Sequence, residues 1–583
     1  MIDKLTASTA SAGARVAEAG SDRLDIDVER QGLRAAVRAV MDAGGRYMVG
    51  IGYDNIARDG TLGLVHTFSF DRDGLFACVR TSAPHADPAF DSITPLVPTA
   101  GWTERECSDL LGMKFAGHPK PKKLILADDW PAGVYPLRKD VPHDLMPPSA
   151  DSVAYQLDEA PPGTTTVPVG PFHPSLHEPA HFAVYVDGET IKGCDYRGFM
   201  AHRGIEKLCT TQVSYNEVPF IAERICGICG SVHATAYSQA VEKAAGLAVP
   251  RRAEYIRTLM LEIERIHSHL LWLGVAGHLI GFDTIFMQAW RVRERVMWLA
   301  ERLTGNRKTY GMIVIGGVRR DITPETAGDI RGVMDVTEKE LRALSAAIEK
   351  DTAIHKRTKD VGVLSTAETI RWSLIGPVAR ARGVDIDARR DHPYAAYDDL
   401  KFDVPVLTGC DVWSTLLVRL FETFESISLV RQVLDKMPAG PLMAAPSEAL
   451  PALRHGLSVV EAPRGEAVHY VITGEGNRPD RWRVRAPTYA NLQGVPAMLL
   501  DEQFADFPII LGSIDPCFSC TDRVAVVDAA SGRARLLTAR ELSELSRSRR
   551  ASAGCCSEKS PEGGGGWWPS GRFGARPDEA AGR

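Results

Sequence analysis

The sequence predicts an α+β protein, with a small N-terminal α/β sandwich domain followed by a large, mainly helical domain. Three observations predict it. Near the start, a helix pattern over 31–43 is followed by strand-like runs at 47–52, 62–70 and 75–80. Six prolines between Val141 and Gly170 then interrupt the patterning, as in an extended linker. Beyond them come long apolar stripes at helical spacing. One runs Ile256, Leu259, Ile263, Ile266, Leu270, Leu273, and another Trp413, Leu417, Leu420, Phe424, Ile427, Leu434.

The chain has 583 residues, 44% of them hydrophobic and 24% charged, which suits two or three globular domains with a large core. A net charge of −6 gives no basic footprint for nucleic acid. Eleven cysteines, odd in number and thinly spread, do not form a secreted disulfide framework. Met1 to Gly20 has no apolar core of the signal-peptide kind. The best uncharged stretch, Ile266 to Phe282, contains three histidines and falls short of the roughly 20 apolar residues a membrane span needs. A cytosolic protein is expected, one that could still dock on a membrane partner.

Residues 1–28 are small and polar and are expected to be a disordered lead-in. In 29–142, Leu33, Val37 and Val40 mark one helix face, and Arg58-Asp-Gly and Asp71-Arg-Asp-Gly mark turns between strands. The segment closes with Glu104-Arg-Glu-Cys-Ser-Asp-Leu-Leu-Gly-Met-Lys-Phe-Ala-Gly-His-Pro119. Glu106, Asp109 and His118 there can be read as a metal site, but a docking surface tied by ion pairs and turns is the better reading. This segment resembles the 30-kDa subunit of respiratory complex I and its hydrogenase relatives. A linker over 143–170 and a large domain over 171–523 follow, then a C-terminal extension over 524–583. The histidines between Ile266 and His278 are read as polar groups in a helix–helix contact.

The chemistry concentrates in two short loops. Glu223-Arg-Ile-Cys-Gly-Ile-Cys-Gly-Ser-Val-His233 places Cys226 and Cys229 within one turn, and Gly227 and Gly230 permit unusual backbone angles. A helix-like run from Val232 to Gly246 would aim its dipole at the loop and, with Arg224, favour thiolate. Alone, this CxxC is a redox pair, half a zinc site or two buried thiols. Asp515-Pro-Cys-Phe-Ser-Cys-Thr-Asp-Arg523 adds Cys517 and Cys520 at the same spacing. Two such loops, brought together by a helical core, make one four-thiolate site suited to zinc, iron–sulfur, or nickel and iron.

Both loops resemble the cysteine motifs of [NiFe]-hydrogenase large subunits, of the membrane-associated, hydrogen-evolving, formate hydrogenlyase type. The fold this implies for 171–523 is that of a hydrogenase large subunit, akin to the complex I 49-kDa subunit. The activity implied is reversible reduction of protons to H₂, coupled to formate, CO or ferredoxin oxidation. The resemblance makes Cys226 and Cys517 terminal nickel ligands. Cys229 and Cys520 would bridge nickel to an iron carrying CO and two cyanides, a Ni-Fe(CN)2CO centre. Glu178, in His177-Glu-Pro-Ala-His181, is similar to the family's proton-relay glutamate, and Arg464 to the arginine above the metals. Thr488 would hydrogen-bond a cyanide, and His233 would orient a bridging thiolate. Glu206, in Arg203-Gly-Ile-Glu206, resembles a ligand of a second metal, Mg or Fe, although Arg523 stands where those enzymes use histidine.

The other cysteines before the tail, Cys78, Cys107, Cys194, Cys209 and Cys410, make no cluster motif. Iron–sulfur clusters are therefore expected only in partners. Those partners are an iron–sulfur small subunit, which Asp391-His-Pro-Tyr394 would help contact, membrane antiporter-like subunits, and an electron-donor module (formate dehydrogenase, CO dehydrogenase or ferredoxin). Nickel-insertion chaperones and a maturation endopeptidase are also implied, the latter cutting between Arg523 and Val524. Two other readings compete. One is a complex I-type quinone subunit, whose quinone loop Phe172-His-Pro-Ser-Leu-His177 resembles but which lacks the four cysteines. The other is a structural zinc scaffold with four cysteine ligands, which needs neither Glu178 nor Arg464.

Overall fold

The computed structural model describes residues 2–20, 22–128, 130–145, 147, 158–176, 178–200, 202–444, 450–518, 526–527 and 534–535. Those up to 518 belong to one compact unit. In the second unit, the short strands Val526–Val527 and Ala534–Arg535 pair antiparallel.

The chain starts with structure rather than a disordered lead-in. Helix α1 (Ile2–Ala10) precedes strands β1 (Arg15–Ala19) and β2 (Arg23–Asp27). Leu5, Leu24 and Ile26 are fully buried, and the alternation of Leu24 and Ile26 with charged neighbours is a half-buried strand pattern too short to stand out in a polar stretch. Helix α2 (Leu33–Asp42) leads to three long strands, β3 (Arg46–Asn55), β4 (Thr61–Phe70) and β5 (Leu75–Pro84). The sheet order is β1-β2-β5-β4-β3, antiparallel except where β2 runs parallel to β5.

This sheet is covered on both faces, which is why its strands read as nearly continuous apolar runs. Leu33, Val37 and Val40 of α2 pack with Leu62, Leu64 and Phe68 on one face. Helix α3 (Ala100–Leu111) adds Cys107 and Leu111 to that layer. On the other face, Met48, Val49, Ile51 and Val65 meet Leu457, Val459, Val468 and Tyr470 from a sheet of the large domain. The N-terminal part is thus a helix-covered sheet resting on a second sheet.

Polar groups fasten the same contact. Ser69 Oγ lies 2.6 Å from His392 Nε2, whose ring stacks on Phe76 at 4.0 Å. His392 of Asp391-His-Pro-Tyr394 therefore docks on the N-terminal sheet. Glu106 takes Arg483 at 2.7 Å and the Tyr489 hydroxyl at 2.9 Å. Asp109 accepts the N–H groups of Leu124, Ile125 and Leu126. These carboxylates hold chain segments together.

The expected linker also ends in regular structure. Strand β6 (Thr165–Val169) pairs with β7 (His181–Asp187), which pairs with β8 (Thr190–Arg197). Then come helices α4 (Gly230–Ala245), α5 (Arg251–Leu279), α6 (Asp283–Thr304), α7 (Pro324–Lys350) and α8 (Val412–Lys436). A three-stranded antiparallel meander, β9 (His455–Ala462), β10 (Gly465–Thr473) and β11 (Pro479–Arg485), follows. No described helix is long and apolar enough to cross a membrane.

The stripes Ile256–Leu273 and Trp413–Leu434 join one core, Leu420 and Ile427 of the second buried and Trp413, Leu417, Phe424 and Leu434 half-buried against it, and a buried charge cluster links α5 to α8 beside it. His269 Nε2 lies 2.9 Å from Glu422, so the histidine is a helix–helix contact. Arg380 reaches Glu422 at 2.7 Å and Glu461 at 2.9 Å, all with essentially no solvent access. Replacing Glu422 with glutamine removes the nearest of Arg380's counter-charges and leaves Glu461 and Asp387 to hold it. We expect a loss of up to about 3–5 kcal/mol in denaturant unfolding, the cost of removing one partner of a buried ion pair. An unchanged midpoint would contradict this.

Candidate metal centre

The first cysteine loop sits at the N-terminus of α4, with Cys229 as the residue before the helix. Neither Gly227 nor Gly230 adopts a positive φ. Gly230 is needed for space instead, because a Cβ there would lie 2.8 Å from the Glu223 carbonyl and run into the Tyr310 ring. Tyr310 closes over the loop, its hydroxyl donating to the Cys226 carbonyl at 2.9 Å.

Charge is also managed differently from the expectation. The first helical N–H groups, of Ser231 and Val232, go to Glu264 of α5 at 2.8 and 3.1 Å, and burial pushes that carboxyl up to about 7. Arg224 is largely exposed, its guanidinium donating to the Phe220 carbonyl and stacking on Tyr310. Closer donors act on the sulfur: the N–H groups of Ile228 and Cys229 both point at Cys226 Sγ, at 3.4 Å. Such donors favour a negative sulfur.

The second loop follows a short helix, Phe507–Ser513, and brings Cys517 Sγ to 3.3 Å from Cys226 Sγ. Both cysteines are buried, as is Cys229. The hydrogen bond with Cys226, then burial, raises the Cys229 thiol far above its ordinary pKa, and Arg464 opposes the shift. Thr488 supports the loop, its hydroxyl oxygen accepting the Cys517 N–H at 3.1 Å. Arg464 lies at the turn between β9 and β10. Its guanidinium holds the Asp515 carbonyl at 2.7 Å and the Asp515 carboxylate at 2.9 Å. Burial opposes its charge, but Asp515 and the three cysteine sulfurs outweigh burial.

A cavity of about 550 Å³ opens onto these groups, and Glu178, Arg464, Asp515 and Cys517 share its wall with Trp272 and Phe518. The structure therefore gathers Cys226, Cys229, Cys517, Arg464, Thr488 and Glu178. His233 lies on α4 one turn beyond Cys229, held by His469. Cys520, Arg523 and the expected cut after it lie outside the described residues. Among the described residues, no three His, Cys, Asp or Glu side chains are arranged to hold an ion. The buried sulfurs, with backbone N–H donors and an adjacent guanidinium, suit a soft metal and not magnesium or calcium.

Glu206 is elsewhere. Its oxygens take Arg481 at 2.7 Å, Arg483 at 3.2 Å and the Val484 N–H at 3.0 Å. Two guanidiniums supply positive charge at its carboxylate, which here anchors Arg481 and Arg483. Sequence reasoning missed Tyr310, Glu264, His469 and Trp482, none of which stands in a cysteine motif. Asp515 does stand in one, but its type alone suggests no role.

Three family profiles match the chain: "Respiratory-chain NADH dehydrogenase, 30 Kd subunit" over 26–145, "Nickel-dependent hydrogenase" over 203–289, and "Respiratory-chain NADH dehydrogenase, 49 Kd subunit" over 280–458 and 450–523. Formate hydrogenlyase subunit 5 of Escherichia coli (strain K12) is 41% identical over 514 residues, covering 87% of this chain and 90% of that one. Hydrogenase-4 component G of the same organism is 42% identical over 466 residues, covering 79% and 81%. A chain of the membrane-bound sulfane sulfur reductase, an archaeal respiratory membrane complex, superposes with a TM-score of 0.59 at 30% identity. That match covers 63% of this chain and all of that one. Chains named for more than one reaction thus share this architecture. The chain belongs to the [NiFe]-hydrogenase large subunits of the hydrogen-evolving, formate hydrogenlyase type with a fused complex I 30-kDa-like domain, and is the catalytic subunit of a multisubunit hydrogenase.

Proposed function

We propose that Cys226, Cys229, Cys517 and Cys520 hold a nickel–iron centre, the first and third as terminal nickel ligands and the other two as bridges to an iron carrying CO and two cyanides. The observation that carries this reading is the approach of Cys226 and Cys517 sulfurs to 3.3 Å at a cavity shared with Glu178 and Arg464. When bound, the centre supplies the chemistry that interconverts H₂ with two protons and two electrons.

The chain's own residues do the rest. Glu178 accepts and returns a proton at its carboxylate, on the cavity side of Cys517. Arg464, anchored through Asp515, keeps a permanent positive charge beside the sulfurs. Thr488 uses its oxygen on the Cys517 N–H and keeps its hydroxyl proton to donate to a cyanide. Glu206 is left out of any metal site.

Electrons leave through a partner's iron–sulfur cluster. Cys78, Cys107 and Cys209 are buried in three separate apolar clusters, where they act as core side chains. By likeness to formate hydrogenlyase, the direction is hydrogen evolution, driven by formate, CO or ferredoxin oxidation through membrane-bound partners. Domain limits at 29–142 and 171–523, with removal of 524–583, belong to the same reading.

Elemental analysis with infrared spectroscopy tests it. Nickel, iron, and CO and cyanide bands are expected; zinc alone would replace this reading with a structural scaffold, and no metal with a quinone-type subunit. The mass of the nickel-loaded protein should end at Arg523, whereas an active full-length chain would reject the cut.

A further inference from the structure

Beneath the first cysteine loop lies a polar row that none of these roles uses. In the β10/β11 pair, His469 lies opposite Val484 and Trp482 opposite Val471. His469 and Trp482 are therefore diagonal neighbours on one face of the meander. Helix α4 crosses that face with His233 and, one turn later, Tyr237. The Tyr237 and Trp482 rings meet edge-on at 5.2 Å, and His233 Nδ1 lies 2.9 Å from His469 Nε2. The indole Nε1–H of Trp482 donates to His469 Nδ1 at 3.2 Å. All four side chains are fully buried.

Valence sets the direction of this row. An indole nitrogen can only donate, so His469 Nδ1 must be a bare acceptor. With Nδ1 bare, the His469 ring can only be the neutral Nε2–H form, and its complete burial disfavours any charge there. His469 then carries its one proton on Nε2 and gives it to His233 Nδ1. His233 in turn keeps its own proton on Nε2. That atom is buried and finds no hydrogen-bond partner among the described residues. A buried N–H left this way loses its hydration with nothing in return. Its surroundings name the missing acceptor: the ring stands one turn past Cys229, within electrostatic reach of Cys226.

We propose that Trp482 and His469 are positioning residues that lock His233 in the Nε2–H tautomer, so that it presents a permanent donor to a cysteine thiolate of the metal centre. With the opposite tautomer, a ring lone pair would face the thiolate and repel it. The tautomer assignment stands on the protein alone, and its last link rests on the nickel–iron reading.

The test uses the full chain with ring-¹⁵N histidine, purified without nickel. Both His469 and His233 should show a protonated Nε2 and a bare Nδ1. Trp482→Phe keeps an aromatic ring against Tyr237 but removes the donor, and His469 should then populate its Nδ1–H form. In the nickel-loaded complex, the same variant should shift the CO and cyanide bands and lower kcat about 10-fold, the lower end of what a partner behind a metal's ligands typically contributes, with KM for H₂ unchanged. His469→Gln, which still offers an amide N–H to His233, should keep the parent bands. A protonated Nδ1 on His469 in the parent would overturn the proposal. So would unchanged tautomers in Trp482→Phe, or changed tautomers with bands and kcat unmoved. If the variant fails to load nickel, the nickel-free measurement still decides. If the parent holds only zinc, the function fails while the tautomers stand.

Discussion

Cys517→Ala is expected to abolish hydrogen production and hydrogen-dependent dye reduction, and to leave the purified complex without stoichiometric nickel. The loss should be one of ligation rather than folding. The Cys517 loop is held by groups other than its sulfur: Thr488 takes its N–H, and Arg464 grips Asp515 through both carbonyl and carboxylate. Alanine keeps those bonds and removes only the atom that lies 3.3 Å from Cys226 Sγ. Groups that act as a unit fail together, so no intermediate activity is expected. The thermal midpoint should change little in the metal-free chains. Cys194→Ala, on a strand edge among residues without a site role, should keep full activity. Hydrogen turnover by the Cys517 variant would refute the ligand assignment.

Glu178→Gln should separate metal binding from proton movement. Glutamine has nearly the same shape and can keep a polar contact, but it cannot accept and release a proton near neutral pH. Nickel, iron and the infrared bands should stay as in the parent. H/D exchange with solvent and hydrogen evolution should fall by about 10²–10⁴-fold, the usual contribution of a positioned acid–base group. The expectation rests on the cavity wall that Glu178 shares with Cys517 and Arg464. Exchange at the parent rate would remove Glu178 from the relay and direct attention to another group on that wall.

Local signals were legible where local rules apply. The CxxC spacings and the stripes at Ile256–Leu273 and Trp413–Leu434 can be read because a loop and a helix face are set by neighbours in sequence. The strands at 47–52, 62–70 and 75–80 were visible for the same reason. Strands at 15–19 and 23–27 were not, since few apolar residues mark them and β5, on which the second of them pairs, comes some fifty residues later. The glycines of the first loop suggest conformational freedom when read in sequence, but Gly230 gives room to Tyr310, a residue far along the chain.

By itself, the sequence determined which atoms are available: four thiols in two short loops, one carboxylate, one arginine, and helices long enough to carry them. Tertiary structure decided which of those atoms meet and which charges are already spent. Arg481 and Arg483 project from the same face of β11 and saturate Glu206, and nothing in Arg203-Gly-Ile-Glu206 reveals it. Trp482, between them, points to the opposite face, where its single N–H orders His469 and His233. A residue's type fixes what it can donate or accept; burial against partners distant in sequence decides what remains to be donated.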